Sequence, residues 1–436
     1  MIFDIGIRAT TTPKSEEFKT AMSAVRDRIA AAKRRGIHSG FIDYHGCISV
    51  CNELTAILED AGKASERGNC AYAYSVAALI LVNCAKLAGS ADDSAGGITD
   101  TRGWVEDVLK KACSGVERGS AEAEFIFLQS LKDSRNKAFE GWDEFAYDLL
   151  LATAGLATAK NVNKLYAVLD EFDEKLSRKE YSSWHRESDC LVRLGAITAI
   201  EGEQAAEKFV YNNIQYDGIR RIAICSSLDK SDFHSAERLC CDKINSTDHG
   251  YHWTREWYDI LFEVYSKSGN KERQAELAED LLIGKHDTKY YTILKQLLSE
   301  KGIWKTEYPS LLAKLAQNLP YNMYMAILSQ EGETRRLLDQ LTTHPSEIFT
   351  YGKQLATDFP AEIYAICLDE IRKQATEADN RIKYKQVCGN IKKLFDYGGN
   401  HEVSRIIEEL KAKYPRRPAM IEELEGLALR LAKKRK

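Results

Sequence analysis

From about Glu187 onward the apolar residues of this chain fall into helical stripes, and the stripes are cut at fairly even intervals. In Trp257, Ile260, Leu261, Val264 and Tyr265 the apolar positions sit at i, i+3, i+4, i+7 and i+8, which is one face of an α-helix. Ser268-Gly269-Asn270 interrupts the pattern. Gly269 predicts a left-handed residue that ends the helix, and Asn270 predicts a cap for the next one. The following stripe is Ala275, Ala278 and Leu282, whose small alanines admit a close neighbour. A similar layout returns at Gly398-Gly399-Asn400, with Leu394 and Phe395 before it and Val403, Ile406, Ile407 and Leu410 after it. Other breaks fall at Gly202, at Asp229 to Asp232, at Gly302, at Gly332 and at Phe359-Pro360. Intervals of roughly 30–40 residues are the period of stacked helix pairs. One pair cannot bury such a stripe alone, so neighbouring pairs must stack. The expected fold class is all-α: an α-solenoid of helix pairs, TPR-like or HEAT-like, over residues 166–436. Its expected form is a right-handed superhelix of about seven pairs.

The first part of the chain lacks that period. Residues 1–12 carry few helix signals and read as a tail, and residues 13–165 read as an irregular helical domain. Pro13 and an N-capping Ser15 open a helix toward Arg35, and Gly36 and Gly40 end it. Further helices are expected over about Phe41–Lys63, Cys70–Leu87, Thr101–Ala112, Ala121–Leu131 and Trp142–Thr158. Between the third and fourth lies a loop of Gly, Ser, Ala and Asp from Gly89 to Gly97.

Composition narrows the function classes. The chain has 436 residues, 44% of them hydrophobic and only seven of them proline, which suits a helical protein with a continuous core. A formal net charge of -4 opposes bulk attraction to nucleic acid or to an anionic membrane. The longest uninterrupted apolar stretch, Val76–Val82, is far short of the roughly 18 residues a spanning helix needs. Met1–Ile7 carries Asp4 and no basic leader, so no secretory signal is expected. Eleven cysteines then read as free, mostly buried thiols in a reducing compartment, which points to the cytoplasm.

The most unusual string is Asp92-Asp93-Ser94-Ala95-Gly96-Gly97-Ile98. Adjacent carboxylates and glycines can hold a cation through oxygen ligands. The alternating acidic spacing and terminal Glu of a calcium loop are missing, however. The same residues can cap a helix, since Asp and Ser accept from free amides and Gly permits left-handed backbone. Asp92, Asp93 and Ser94 are therefore expected to be structural. This string, with Gly40-Phe41-Ile42-Asp43-Tyr44 about fifty residues before it, resembles a pattern in bacterial SWIM zinc-finger proteins. There it belongs to the helical region, a domain of unknown function, that follows their finger. Lys413-Tyr414-Pro415-Arg416-Arg417-Pro418-Ala419, with Glu422-Glu423-Leu424, is similar to that family's end motif. The markers bracket about residues 40 to 427. The family's loop has an acidic residue where this chain has Ala95, and the finger's Cys-x-Cys and Cys-x-His pairs are absent here. The resemblance thus implies a helical-repeat scaffold, and no zinc or DNA role follows from it.

Other chemistry is sparse. Two groups contain metal-ligating residue types: Cys47, Cys51, His45, Cys84 and Cys113, and His234, Cys240, Cys241, His249 and His252. Neither shows paired Cys-x-x-Cys knuckles, so no metal or other cofactor is expected. No Gly-x-Ser-x-Gly elbow, Walker loop or dinucleotide glycine motif occurs, so no enzyme is expected. Basic clusters at Lys33-Arg34-Arg35, Arg416-Arg417 and Lys433-Lys434-Arg435-Lys436 suit the negative ends of helices. Aromatic residues crowd Tyr251 to Tyr265 and then Tyr290, Tyr291, Trp304, Tyr308, Tyr321 and Tyr324. Most should be core, yet tyrosines on the inner face of a superhelix make good peptide anchors. Tyr258, Tyr291 and Tyr324 are the candidates. The expected function is a non-catalytic scaffold that binds a protein or peptide on its concave face. The alternative is a nucleic-acid-associated accessory factor using the basic clusters. A third reading is a metal-dependent enzyme built on Asp92 and Asp93.

Overall fold

A computed structural model describes residues 13, 15–38, 41–176, 182–246 and 251–434. The expected tail, residues 1–12, lies outside the described residues, as do Gly40, His249, Arg435 and Lys436. The described chain is all-α apart from one short hairpin. It divides into two compact units, Met1–Val264 and Tyr265–Lys436.

The first unit opens with α1 (Glu16–Gly36), the antiparallel strands β1 (Ile37–His38) and β2 (Phe41–Ile42), and α2 (Tyr44–Glu66). There follow α3 (Cys70–Ala88), α4 (Gly97–Ser114), α5 (Ala121–Asp133), α6 (Asp143–Thr153) and α7 (Val162–Leu176). Its last helices are α8 (Ser182–Glu201), α9 (Glu203–Asn212), α10 (Asp217–Asp229), α11 (Phe233–Ser246) and α12 (Tyr251–Lys267), within which the two units divide. Side-chain caps start several helices where the sequence places a short polar residue. Ser15 accepts from Phe18 N–H at 3.1 Å, and Asp43 accepts from Gly46 N–H at 2.8 Å. Gly46 also lets α2 cross the end of α1, because a Cβ there would sit 2.2 Å from the Gly36 carbonyl oxygen.

The core of this unit forms around α3, which packs on α1, α2, α4, α5 and α6. Tyr74, Ile80, Leu81 and Leu87 are fully buried on different sides of it. By length and composition α3 is also apolar enough to cross a membrane, with mean hydropathy 1.5. The expectation drawn from the run Val76–Val82 missed this, because Tyr72, Tyr74, Ser75 and Asn83 interrupt the run without making the helix polar. Neighbouring helices cover most of its surface, as they do for any helix that is hydrophobic all round in a protein core. The N-terminal core also continues beyond residue 165. Leu165, Val168, Leu169 and Phe172 of α7 and Val192 and Ala196 of α8 belong to it. The position 165/166 therefore lies inside a helix that the N-terminal core holds, and the compact units divide about a hundred residues later.

The second unit contains α13 (Lys271–Gly284), α14 (Lys289–Glu300), α15 (Trp304–Asn318), α16 (Tyr321–Glu331) and α17 (Thr334–Thr343). It ends with α18 (Ile348–Leu355), α19 (Pro360–Glu377), α20 (Arg381–Asp396), α21 (Asn400–Lys413) and α22 (Pro418–Lys434). Each helix packs chiefly on the next one or the next but one, the contact pattern of stacked helix pairs. Four helix ends share one turn. After α12, Gly269 is left-handed (φ +69°), Gly269 N–H donates to Ser266 O, and Asn270 N–H reaches back to Tyr265 O. This is the Schellman arrangement, which satisfies carbonyls that a helix end otherwise leaves free. It recurs at Gly302, with Ile303 N–H on Leu298 O, and at Gly332, with Glu333 N–H on Leu328 O. It recurs again at Gly398, with Gly399 N–H on Leu394 O. The caps that follow differ. Asn270 accepts from Arg273 N–H at 3.1 Å, whereas Asn400 lies inside α21 and Gly399 occupies the cap position without a side chain.

Cross-helix ion pairs mark the register of the stack. Lys271–Glu300, Lys301–Glu272, Lys295–Glu331, Arg372–Glu409 and Arg381–Glu423 join residues 29 to 42 positions apart. That separation is about one helix pair. Most of these pairs are open to solvent and contribute little individually to stability, so their value is geometric. The turn carries a stability prediction. Gly269→Val should destabilise the protein by about 1–2 kcal/mol, because a β-branched side chain is strained in left-handed backbone. Thermal unfolding with an unchanged midpoint would contradict the assigned turn.

Candidate functional site

Three consecutive helices of the second unit, α14 to α16, bring polar and aromatic side chains to one place. On α14, Tyr291 and Lys295 are four residues apart and share a face. On α15, Trp304 and Tyr308 have the same spacing at the start of the helix. Glu331 is the last residue of α16, immediately before the left-handed Gly332, and Glu333 sits at the cap of α17. The Lys295 ammonium donates to both oxygens of Glu331, at 2.8 and 2.7 Å. The same nitrogen lies 5.5 Å from the centre of the Trp304 ring. Tyr291 meets Trp304 edge-on at 6.3 Å, and the Tyr308 ring is tilted against Trp304 at 4.8 Å.

The electrostatics follow from burial. The Glu331 side chain is 9% exposed, whereas Lys295 is 38% exposed. A carboxylate removed from water to that extent is costly unless a cation partners it. Burial, and then the Glu331 charge, push the Tyr291 hydroxyl well above its usual pKa. Burial, and then Glu333, do the same for Tyr308. Both phenols therefore stay protonated and neutral. The result is a nearly buried carboxylate beside aromatic rings, an arrangement that attracts a cation through charge and through the negative ring face.

The tyrosines singled out in the sequence fare differently. Tyr291 belongs to this cluster but is 1% exposed, and Tyr324 on α16 is 5% exposed. Both fill space between helices and offer no face to a partner. Tyr258 is half-buried on the part of α12 that belongs to the first unit. The accessible edge of the cluster comes from Trp304, Tyr308 and Lys295. The i, i+4 spacings and the Glu before a turn glycine were visible in the sequence. Their convergence was not, because it depends on the register between helix pairs.

The Asp92 loop is built from local hydrogen bonds. Asp92 accepts from Ser94 N–H at 3.1 Å and from the Ser94 hydroxyl, while Asp92 N–H donates to Ile42 O at 2.9 Å. Asp93 accepts from Ile98 N–H at 3.0 Å in the first turn of α4, and the Cys47 thiol lies 3.7 Å from the same oxygen. The loop thus ties the end of β2 to the start of α4. Burial, then Cys51 and Asp93, push the Cys47 thiol up to about 12. Burial also raises Cys51, Cys84 and Cys113. Among the described residues no three His, Cys, Asp or Glu side chains gather as a metal site. His249 lies outside those residues, and the side chain of His252 is not described.

The basic clusters are partly committed to the fold. Arg417 donates to the carbonyl oxygens of Ala375 and Ala378, each at 2.8 Å, and stacks over Tyr414. Lys33 is partly buried, which lowers its pKa, and Lys86 lowers it further. Arg35 lies 3.5 Å from Glu53, while Arg416 is exposed.

No family profile matches the chain. No curated protein matches it either. A solved structure titled "Circular tandem repeat protein with novel repeat topology and enhanced subunit contact surfaces" is 13% identical. The alignment covers 95% of this chain and 98% of that one at a TM-score of 0.19.

Two predictions follow from the loop and the thiols. Asp93→Ala should lower stability by about 1 kcal/mol, the usual cost of a lost cap, and Ca²⁺, Mg²⁺ or Mn²⁺ should leave the melting temperature unchanged. A metal-induced rise that vanishes in the variant would overturn the structural assignment. Iodoacetamide on the native protein should modify the exposed Cys225 first, with Cys47 and Cys84 last, as read by peptide mass mapping. Early labelling of Cys47 would contradict a buried, protonated thiol.

Proposed function

We propose that this protein is a non-catalytic helical-repeat scaffold that binds a protein or peptide on the concave face of its array. One observation carries the reading. The edge formed by Trp304, Tyr308 and Lys295 sits over a nearly buried carboxylate, Glu331. Partly exposed aromatic residues beside a nearly buried carboxylate resemble the composition of an interface hot spot. Stacked helix pairs present such features from successive turns, so an extended segment can be read along them. Residence in the cytoplasm belongs to the same proposal, supported by cysteines that are all free thiols and mostly buried. So does kinship with the helical region of the SWIM zinc-finger proteins, which rests on the Asp92–Ile98 and Lys413–Ala419 strings.

Panning a random-peptide phage library against the immobilised full chain tests the proposal. Sequences should be enriched that bind this protein and not an unrelated helical-repeat protein, with dissociation constants in the micromolar range or tighter. Failure to enrich any sequence over that control would count against a peptide-binding scaffold.

A further inference from the structure

We infer that the Lys295 ammonium occupies a recognition site for a partner's alkylammonium group, of the kind a lysine side chain carries. This rests on the scaffold reading and gives its partner a chemistry. The fixed part of the site is Glu331, Trp304, Tyr308 and the buried Tyr291. These groups are held by the ends of three helices and by the Gly332 turn. The movable part is Lys295, which reaches the carboxylate on a flexible four-carbon stem and is 38% exposed. Glu331, by contrast, is too far removed from water to stand alone. A cation beside it offsets the cost of its burial, and nothing in the geometry requires the cation to come from this chain. An incoming ammonium can accept the place between the carboxylate and the indole ring while Lys295 swings into solvent. The charge count at Glu331 is unchanged by the exchange, so Lys295 acts as an internal competitor that sets the affinity for a partner. A primary or methylated ammonium suits the site better than a neutral group of the same shape, because both the Glu331 carboxylate and the Trp304 ring face act on charge.

The test uses the full chain and two small probes, N-acetyl-lysine methylamide and its uncharged norleucine counterpart. The Trp304 indole N–H signal, identified in NMR spectra with a Trp304→Phe variant, reports binding. Lys295→Ala should bind the lysine probe at least about tenfold more tightly than the parent protein, an increment within reach of one desolvated cation–aromatic contact. Adding Glu331→Gln to Lys295→Ala should abolish that gain, and the norleucine probe should not shift the Trp304 signal in any variant. Should Lys295→Ala fail to fold, Lys295→Gln keeps most of the stem, drops the charge and carries the same expectation. No gain in either variant, or equal binding of the norleucine probe, would overturn the inference. Peptides enriched from the phage library that ignore Lys295 substitution would leave the scaffold reading intact while this site assignment falls. Probe binding with an empty library would do the reverse.

Discussion

The stack of helices in the second unit depends on how four of its helix ends are closed. A helix end exposes carbonyl groups that must find donors, and here one short turn supplies them repeatedly. A left-handed residue at Gly269, Gly302, Gly332 or Gly398 folds two amides back onto the preceding helix and sends the chain off at once in a new direction. Because the turn is closed by backbone hydrogen bonds, it leaves little freedom in where the next helix starts. The apolar stripes then meet at a fixed spacing, and pairs such as Lys295–Glu331 and Arg372–Glu409 find each other across a helix pair. The same turn appears in the first unit, where Ser231 takes the left-handed position and Asp232 N–H reaches Ser227 O.

Much of this was legible in the sequence, and for an identifiable reason. Glycine at a helix end leaves a strong mark because few other residues adopt left-handed backbone. The apolar spacing from Trp257 to Tyr265 describes the face on which Trp257, Leu261, Val264 and Tyr265 are buried. Less legible was where one compact unit ends, because a buried helix carries no sign of which neighbours it touches. α7 shows the difficulty: its pattern suits a repeat, yet Leu165, Val168 and Leu169 complete the N-terminal core. The turn at Gly398 shows a smaller one, since two glycines in a row do not reveal which will be left-handed.

The candidate site was only half visible, for related reasons. Aromatic density drew attention to the stretch of chain that holds Tyr291, Trp304 and Tyr308, but density cannot separate core from surface. Tyr291 and Tyr324 follow the apolar stripes of their helices and are buried with them. Trp304 and Tyr308 begin a helix just after a turn, where the stripe meets the edge of the stack, and they remain partly accessible. Glu331 is nearly buried because it is the last residue of α16, held against the preceding pair by the Gly332 turn. The chemistry of the site is therefore tied to the same turn that recurs through the stack.

If helix endings set the stack, the turns should be among its stable parts. Native-state hydrogen exchange measures this directly at the amides of Asn270, Ile303, Glu333 and Gly399, which close the four turns. The account predicts that these four exchange as slowly as amides in the interior of the adjoining helices and open together with them. Fast exchange at the turns beside well-protected helices would mean that the turns are loose linkers, and that side-chain packing alone positions the pairs.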